Sequence, residues 1–273
     1  MSNYIWLPIW ATAAIAVASA LGVFRFKKVL GRPRLSFGES PLIILRIIGL
    51  AMLTWAVCGI SLGSIHQERL KHQGKPATSV LSENETVIFG GVTELAILMT
   101  MVVATIVTRN GGLRQTGINL RRIPTGFLGG ILGIAIVLPL IFYINVIVAW
   151  GLAHWKQPNP PHELLEILKN HPSAWLRAAD VISAGLVAPV AEEMFFRGLL
   201  LTLLRNVFNS SWPAIFFSAL AFALVHHWST WPQIFFLGCC LGYAYERSGN
   251  LWVSITMHAM FNLTSIWLFT HWG

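Results

Sequence analysis

Long apolar runs recur along this chain, and they constrain its fold more than any other feature. Eight of them approach the roughly 20 residues that a bilayer-crossing helix requires. They lie at about residues 5–24, 41–63, 87–108, 126–150, 175–204, 211–226, 231–245 and 251–270. The sixth and seventh runs are the shortest and could be re-entrant. The pattern predicts an all-α protein, a polytopic transmembrane helix bundle of about eight spans, as a single integral membrane domain over residues 1–273.

The distribution of charge also indicates a membrane protein. Only 11% of the residues are charged, whereas soluble domains carry about 25%. The net charge of +8 comes largely from the linkers between apolar runs, two of which, 25–34 and 109–122, are strongly basic. Basic linkers of this kind lie on the cytoplasmic side. We therefore expect a multi-pass protein of the cell membrane with both termini outside, in contact with lipid and not with nucleic acid.

The first apolar run and the cysteines exclude two other classes. The basic residues follow the 5–24 run instead of preceding it, so we expect a retained span and not a cleaved signal peptide. Cys58, Cys239 and Cys240 all lie in apolar runs and form no Cys-x-x-Cys pair. Neither a disulfide framework nor a cysteine zinc site is predicted.

Two acids and a base lie inside the fifth apolar run, where ionisable groups are costly and need a partner, water or a function. Glu193 and Arg197 are four residues apart and can form an ion pair across one helical turn. Glu192 lies about 100° around the helix and is left without a local partner. Because buried pairs also serve packing, a purely structural role for Glu193 and Arg197 stays open.

Two later spans carry further polar groups. His226 ends the sixth run, and by itself it is a weak signal, because a lone histidine on a helix is usually a satisfied core or interface residue. His258 and Asn262 are a stronger signal, because they share one helical face and supply two hydrogen-bond donors that could hold an oxyanion.

These groups lie at a similar depth. At 1.5 Å of rise per residue, Glu192 lies roughly 20 Å, His226 roughly 22 Å and Asn262 roughly 18 Å from the presumed cytoplasmic ends of their helices. His258 lies at about 12 Å. We expect one polar site built from three spans.

Other features predict packing. Small residues that permit close helix approach form two groups, Gly129, Gly130, Gly133 and Gly238-x-x-x-Gly242. Arg46 and Glu94 fall within the second and third spans, and we expect them to pair with each other.

The polar motifs, taken together, resemble a known family. Glu-Glu-x-x-x-Arg at 192–197, Phe-x-x-x-His at 222–226 and His-x-x-x-Asn at 258–262 occur in order, with a lead-in to the third motif at 236–252. This set is similar to the CAAX protease and bacteriocin-processing (CPBP) family of intramembrane proteases, which includes the Rce1-like CAAX prenyl endopeptidases. The resemblance covers about residues 179–265, which would form the catalytic core.

The resemblance implies a role for each residue. Glu192, with His226, would activate a water that attacks a peptide carbonyl. His258 and Asn262 would stabilise the oxyanion, while Glu193 and Arg197 would support the site. A protein or peptide substrate at the membrane is implied.

The sequence leaves open whether this site binds a metal. No His-Glu-x-x-His motif occurs, and a buried carboxylate can act as a base without metal. We expect no cofactor, with zinc held by Glu192, His226 and His258 as the alternative.

Three classes of function remain under consideration. The leading one is an intramembrane endopeptidase of the CAAX-prenyl-protease type. The alternative is a non-catalytic membrane scaffold or bacteriocin-immunity protein of the same fold. An ion- or proton-coupled carrier would explain the acids but not the His-Asn pair.

Overall fold

The protein is a helical bundle. The computed structural model describes residues 13, 41–76, 78–108, 112–157, 168 and 173–272, and within these ranges it contains no strand. The predicted all-α transmembrane bundle is confirmed. The predicted 5–24 span lies outside the described residues, apart from residue 13.

Nine α-helices, labelled here in chain order, build the described part. They are α1 Pro41–His72, α2 Glu83–Thr108, α3 Ile123–His154, α4 Ala174–Ile182, α5 Ala188–Glu193, α6 Thr202–Phe208, α7 Ser211–Leu224, α8 Trp231–Ser248 and α9 Leu251–Trp272. Two π-helical segments, π1 Ser183–Val187 and π2 Met194–Leu201, join α4, α5 and α6 into one continuous helical stretch. Short 3-10 turns cover Gly112–Thr116, Leu120–Arg122 and Trp228–Thr230.

Seven of the predicted spans correspond to these helices, but they are not equally apolar. In the described part, three helices are long and apolar enough to cross a bilayer, namely α1, α2 and α3 with its preceding 3-10 turn, and α7 is a shorter apolar helix. The stretch from α4 to α6 is interrupted by its π segments, and α9 carries His258 and Asn262. About eight is therefore an approximate number of spans.

Glycines bring α3 and α9 into close contact. A Cβ atom at Gly126 or Gly130 would overlap the side chains of Trp252 and Thr256. A Cβ at Gly133 would lie 2.8 Å from the sulfur of Met257. The predicted glycine face of the fourth span is thus confirmed, and it presses α9 against α3.

The second glycine group has the same effect between α8 and α7. A Cβ at Gly238 would lie 3.0 Å from that of Ala219, and one at Gly242 would lie 3.3 Å from the side chain of Ile215. Close approach at Gly238 also places its carbonyl within hydrogen-bond reach of Arg197 on π2.

Proline explains the first π segment. The N–H of Ala188 bonds to the carbonyl of Ser183, five residues back. The next residue is Pro189, which has no N–H to offer. The Ala184 carbonyl therefore accepts no backbone hydrogen bond from residue 188 or residue 189. Because buried carbonyls are normally hydrogen-bonded, it needs a donor from another part of the chain.

Two arginine side chains hold the C-terminal end of α8 in place. Arg122 donates to the carbonyls of Gly249 and Ser248 at 2.9 and 3.0 Å, and so caps α8. Arg205 donates to the Glu246 carboxylate, which also accepts from Ser211 at 2.8 Å. These contacts tie α6, α7 and the turn before α3 to the C-terminal end of α8.

One structural expectation is wrong. Glu94 does not pair with Arg46: its Oε2 accepts from the Ser183 hydroxyl at 2.6 Å, and the Arg46 side chain is exposed. The two residues occupy different faces of neighbouring helices, which the linear sequence does not reveal.

Candidate active site

A fully buried ion pair lies at the junction of α5 and π2. Arg197 donates through one terminal nitrogen to Glu193 Oε1 at 2.7 Å, and both side chains are 0% exposed. The other terminal nitrogen donates to the Gly238 carbonyl at 3.1 Å. The predicted pair across one helical turn therefore forms, and it also ties π2 to α8.

His258 joins this pair from α9. Its Nδ1 lies 3.0 Å from Glu193 Oε1, the same oxygen that accepts from Arg197. Because an ionised carboxylate can only accept, Nδ1 carries the proton in this contact. Glu193 thus orients the imidazole of His258, as the aspartate orients the histidine of a Ser-His-Asp triad.

The other side of the same ring faces Glu192. His258 Nε2 lies 3.8 Å from Glu192 Oε2, beyond hydrogen-bond distance. The Glu192 side chain is 31% exposed, yet its Oε2 is buried and has no hydrogen-bond partner within the described residues. A buried carboxylate oxygen without a partner is a place for a water or a polar substrate atom.

Asn262 lies one turn beyond His258 on α9. Its Nδ2 donates to the Ala184 carbonyl at 2.7 Å. This is the carbonyl that Pro189 leaves without a backbone donor. The contact fixes the plane of the Asn262 amide against π1, and one N–H of the amide nitrogen remains for another acceptor.

His226 lies just beyond the helix on which it was predicted. The sixth span was predicted over 211–226, but α7 ends at Leu224. His226 Nδ1 donates to the Phe222 carbonyl at 2.7 Å. The Trp231 indole donates to the His226 carbonyl at 2.9 Å and holds this turn in place.

Phe222 connects the parts of the site. Its ring contacts the rings of His226 and His258, with centroids 4.8 and 5.5 Å apart. The Arg197 guanidinium lies 4.5 Å from its centroid. The first residue of the Phe-x-x-x-His motif is therefore an apolar wall that packs against both histidines and the cation.

The alternative zinc set is not assembled. Within the described ranges no three His, Cys, Asp or Glu side chains come together as metal ligands. Glu192 Oε2 lies 3.8 Å from His258 Nε2, and the Phe222 ring packs against the rings of both His226 and His258. Glu192, His226 and His258 thus form no three-ligand cluster in the described part of the chain.

Sequence reasoning missed two contacts. The motif spacing did not show that Glu193 is the carboxylate that holds His258, since the two residues are 65 positions apart. It also did not predict the hydrogen bond between Ser183 and Glu94. The single available signal was the presence of a carboxylate at position 94 inside an apolar run.

The comparisons with known proteins agree with the motifs. Residues 173–264, about a third of the chain, match the family model described as type II CAAX prenyl endopeptidase Rce1-like. The matched stretch contains all six candidate site residues. Neither a curated protein nor a solved structure gives a match. The resemblance predicted from the motifs is confirmed, since residues 173–264 match the Rce1-like family model.

Proposed function

We propose that the protein is an intramembrane endopeptidase in which Glu192 activates a water for attack on a peptide bond. The observation that carries the proposal is the buried, unpartnered Oε2 of Glu192, which faces Nε2 of an imidazole whose other nitrogen is held by Glu193. Such an oxygen can accept a hydrogen bond from a water and then its proton.

The first step joins the water oxygen to the carbonyl carbon of the substrate. As this bond forms, a proton passes to Glu192 and the carbonyl oxygen becomes an oxyanion. His226 would assist Glu192 as a second base, as the family resemblance implies. General-base assistance of this kind contributes roughly 10²- to 10⁴-fold to a rate.

The oxyanion would be held by His258 and Asn262. Because His258 Nδ1 already donates to Glu193, donation from Nε2 requires a proton on both ring nitrogens, with Glu193 and Glu192 on opposite sides of the ring. Asn262 contributes the N–H that is not used by Ala184. Loss of one such donor typically costs roughly 10²- to 10³-fold in kcat.

The second step breaks the carbon–nitrogen bond. Glu192 returns its proton to the leaving nitrogen, the carbonyl re-forms, and the products are a carboxylic acid and an amine. Atoms and protons balance with water as the one co-reactant, and no metal is required. We propose that the enzyme acts without a cofactor on a protein or peptide at the membrane, in the manner of a CAAX prenyl protease.

The test is peptidase activity of the purified protein in liposomes. The substrate is a farnesylated peptide with a C-terminal CaaX sequence, compared with the same peptide without its prenyl group, and mass spectrometry locates the cut. We expect His226→Ala, His258→Ala and Asn262→Ala each to lower kcat at least tenfold while the helical content is kept. Full activity in all three folded variants would overturn the assignment of the site.

The metal-free mechanism has its own test. Enzyme dialysed against chelator and shown by elemental analysis to hold no zinc should cleave at the untreated rate. If the treated enzyme lost cleavage and added zinc restored it, that result would contradict the metal-free mechanism. A scaffold or immunity protein of the same fold would show no cleavage of any peptide by wild type.

A further inference from the structure

The first π segment is held from two sides by adjacent residues. On one side, Asn262 of α9 donates to the Ala184 carbonyl at 2.7 Å. On the other, the Ser183 hydroxyl donates to Glu94 Oε2 of α2 at 2.6 Å. The two bonds enter the same turn of the chain from different helices.

Helix α2 packs closely against π1 around the hydrogen bond between Ser183 and Glu94. Gly91 lies one turn before Glu94 on α2, and a Cβ added there would be 3.9 Å from Ser183 Oγ. No side chain therefore separates α2 from π1 at this level. A short hydrogen bond from a hydroxyl to a carboxylate is among the stronger kinds, and a carboxylate within a membrane helix is costly unless something uses it.

The conformation of π1 decides where Glu192 points. A π turn holds an extra residue compared with an α turn, and so rotates every residue that follows it about the helix axis. Here π1 runs directly into α5, which carries Glu192 and Glu193. Because Pro189 removes a backbone donor, this turn depends on side chains for part of its hydrogen bonding.

We propose that Glu94 is a positioning residue of the active site. Through Ser183 it fixes π1, and through π1 it sets both the Asn262 amide and the direction of the Glu192 carboxylate. This inference rests on the proposed function and adds to it a residue 98 positions upstream of Glu192, on a helix outside the family match at 173–264.

The experiment compares four variants in the liposome peptidase assay. Glu94→Leu and Ser183→Ala remove the bond, whereas Glu94→Gln keeps an acceptor for the hydroxyl. Thr100→Val is the matched control, since it removes a different contact between helices, the 3.0 Å approach of the Thr54 and Thr100 hydroxyls, from the same helix α2.

A displaced catalytic group lowers kcat more than it changes KM. We expect Glu94→Leu and Ser183→Ala to lower kcat roughly 10- to 100-fold with KM within about twofold. Glu94→Gln should recover at least half of wild-type kcat, and Thr100→Val should match wild type. In an Asn262→Ala background, Ser183→Ala should have less than a third of its effect in wild type, because both act on one turn.

Hydrogen exchange gives a readout that does not need activity. The amides of residues 184–188 should exchange roughly tenfold faster in Ser183→Ala and Glu94→Leu, and at the wild-type rate in Thr100→Val. Unchanged kcat and unchanged exchange in Ser183→Ala would overturn the inference while leaving the peptidase intact. Absence of cleavage by wild type would instead overturn the proposed function, and the exchange result would still decide whether Glu94 holds π1.

Discussion

Replacing Arg197 by leucine should strongly destabilise the bundle. The guanidinium is completely buried, pairs with Glu193, caps the Gly238 carbonyl and lies over the Phe222 ring. Removing one partner of a buried ion pair costs about 3–5 kcal/mol, because the remaining charge is left uncompensated. The orphaned carbonyl adds about 1–3 kcal/mol. These terms overlap, and leucine fills part of the space, so we expect a net loss of about 4 kcal/mol in unfolding free energy.

A second substitution separates the charge effect from lost packing. Glu193→Gln removes the orphaned charge but keeps an oxygen that can accept from His258. The double variant Arg197→Leu with Glu193→Gln should therefore be about 2 kcal/mol more stable than Arg197→Leu alone. Stability is measured by unfolding in mixed detergent micelles, followed by tryptophan fluorescence. A control, Lys71→Gln, breaks an exposed pair with Glu68 and should change stability by less than about 1 kcal/mol. The reasoning is refuted if Arg197→Leu behaves like this control, or if Glu193→Gln destabilises it further.

Four further predictions concern packing, pH and salt. Gly130→Ala should destabilise by about 1–3 kcal/mol in the same unfolding assay, because its Cβ would meet Thr256, whereas Gly90→Ala, with open space around it, should be neutral or stabilising. His66 lies beyond the end of the predicted 41–63 span, and hydrogen bonds to Ser79 and Glu85 raise its pKa. The stabilisation of the fold by protonated His66 is therefore complete below about pH 6.5 and lost as pH rises through the raised value. An unfolding free energy that stays constant between about pH 6 and 9 would contradict this. Hydrogen bonds from Ser82 lower the pKa of Glu85 to about 2, so its contribution holds at neutral pH and is lost only as pH falls from about 4.5 towards 2, which acid titration of wild type against Glu85→Gln will show. Because the buried pairs are shielded from solvent, peptidase activity should vary less than twofold between about 0.05 and 0.5 M salt, and a steep dependence would place the site in open water.

The parts of the fold that follow from local pattern were predictable. The lengths of the apolar runs predicted the helices, and the four-residue spacing predicted the ion pair between Glu193 and Arg197. Small residues at a spacing of three and four predicted the close contact that Gly130 makes with α9. Each of these depends only on geometry within a single helix.

The parts that depend on contact between distant segments were not predictable. His226 was placed on a helix that in fact ends at Leu224, since the last turn unwinds into the loop held by Trp231. The π turn at Ala184 follows from Pro189 only once the backbone bonds are known. The pairing of His258 with Glu193, and of Ser183 with Glu94, required the packing of one helix on another.

The central claim is that Glu192 is the base that activates the water, and single-turnover cleavage by Glu192→Gln tests it most directly. The amide has the same shape but cannot accept the proton, so the account predicts cleavage slowed by about 10²- to 10⁴-fold with unchanged unfolding free energy. Glu68→Gln, on the exposed end of α1, should cleave at the wild-type rate. A folded Glu192→Gln enzyme that cleaves the same peptide bond within about twofold of wild type would contradict the account.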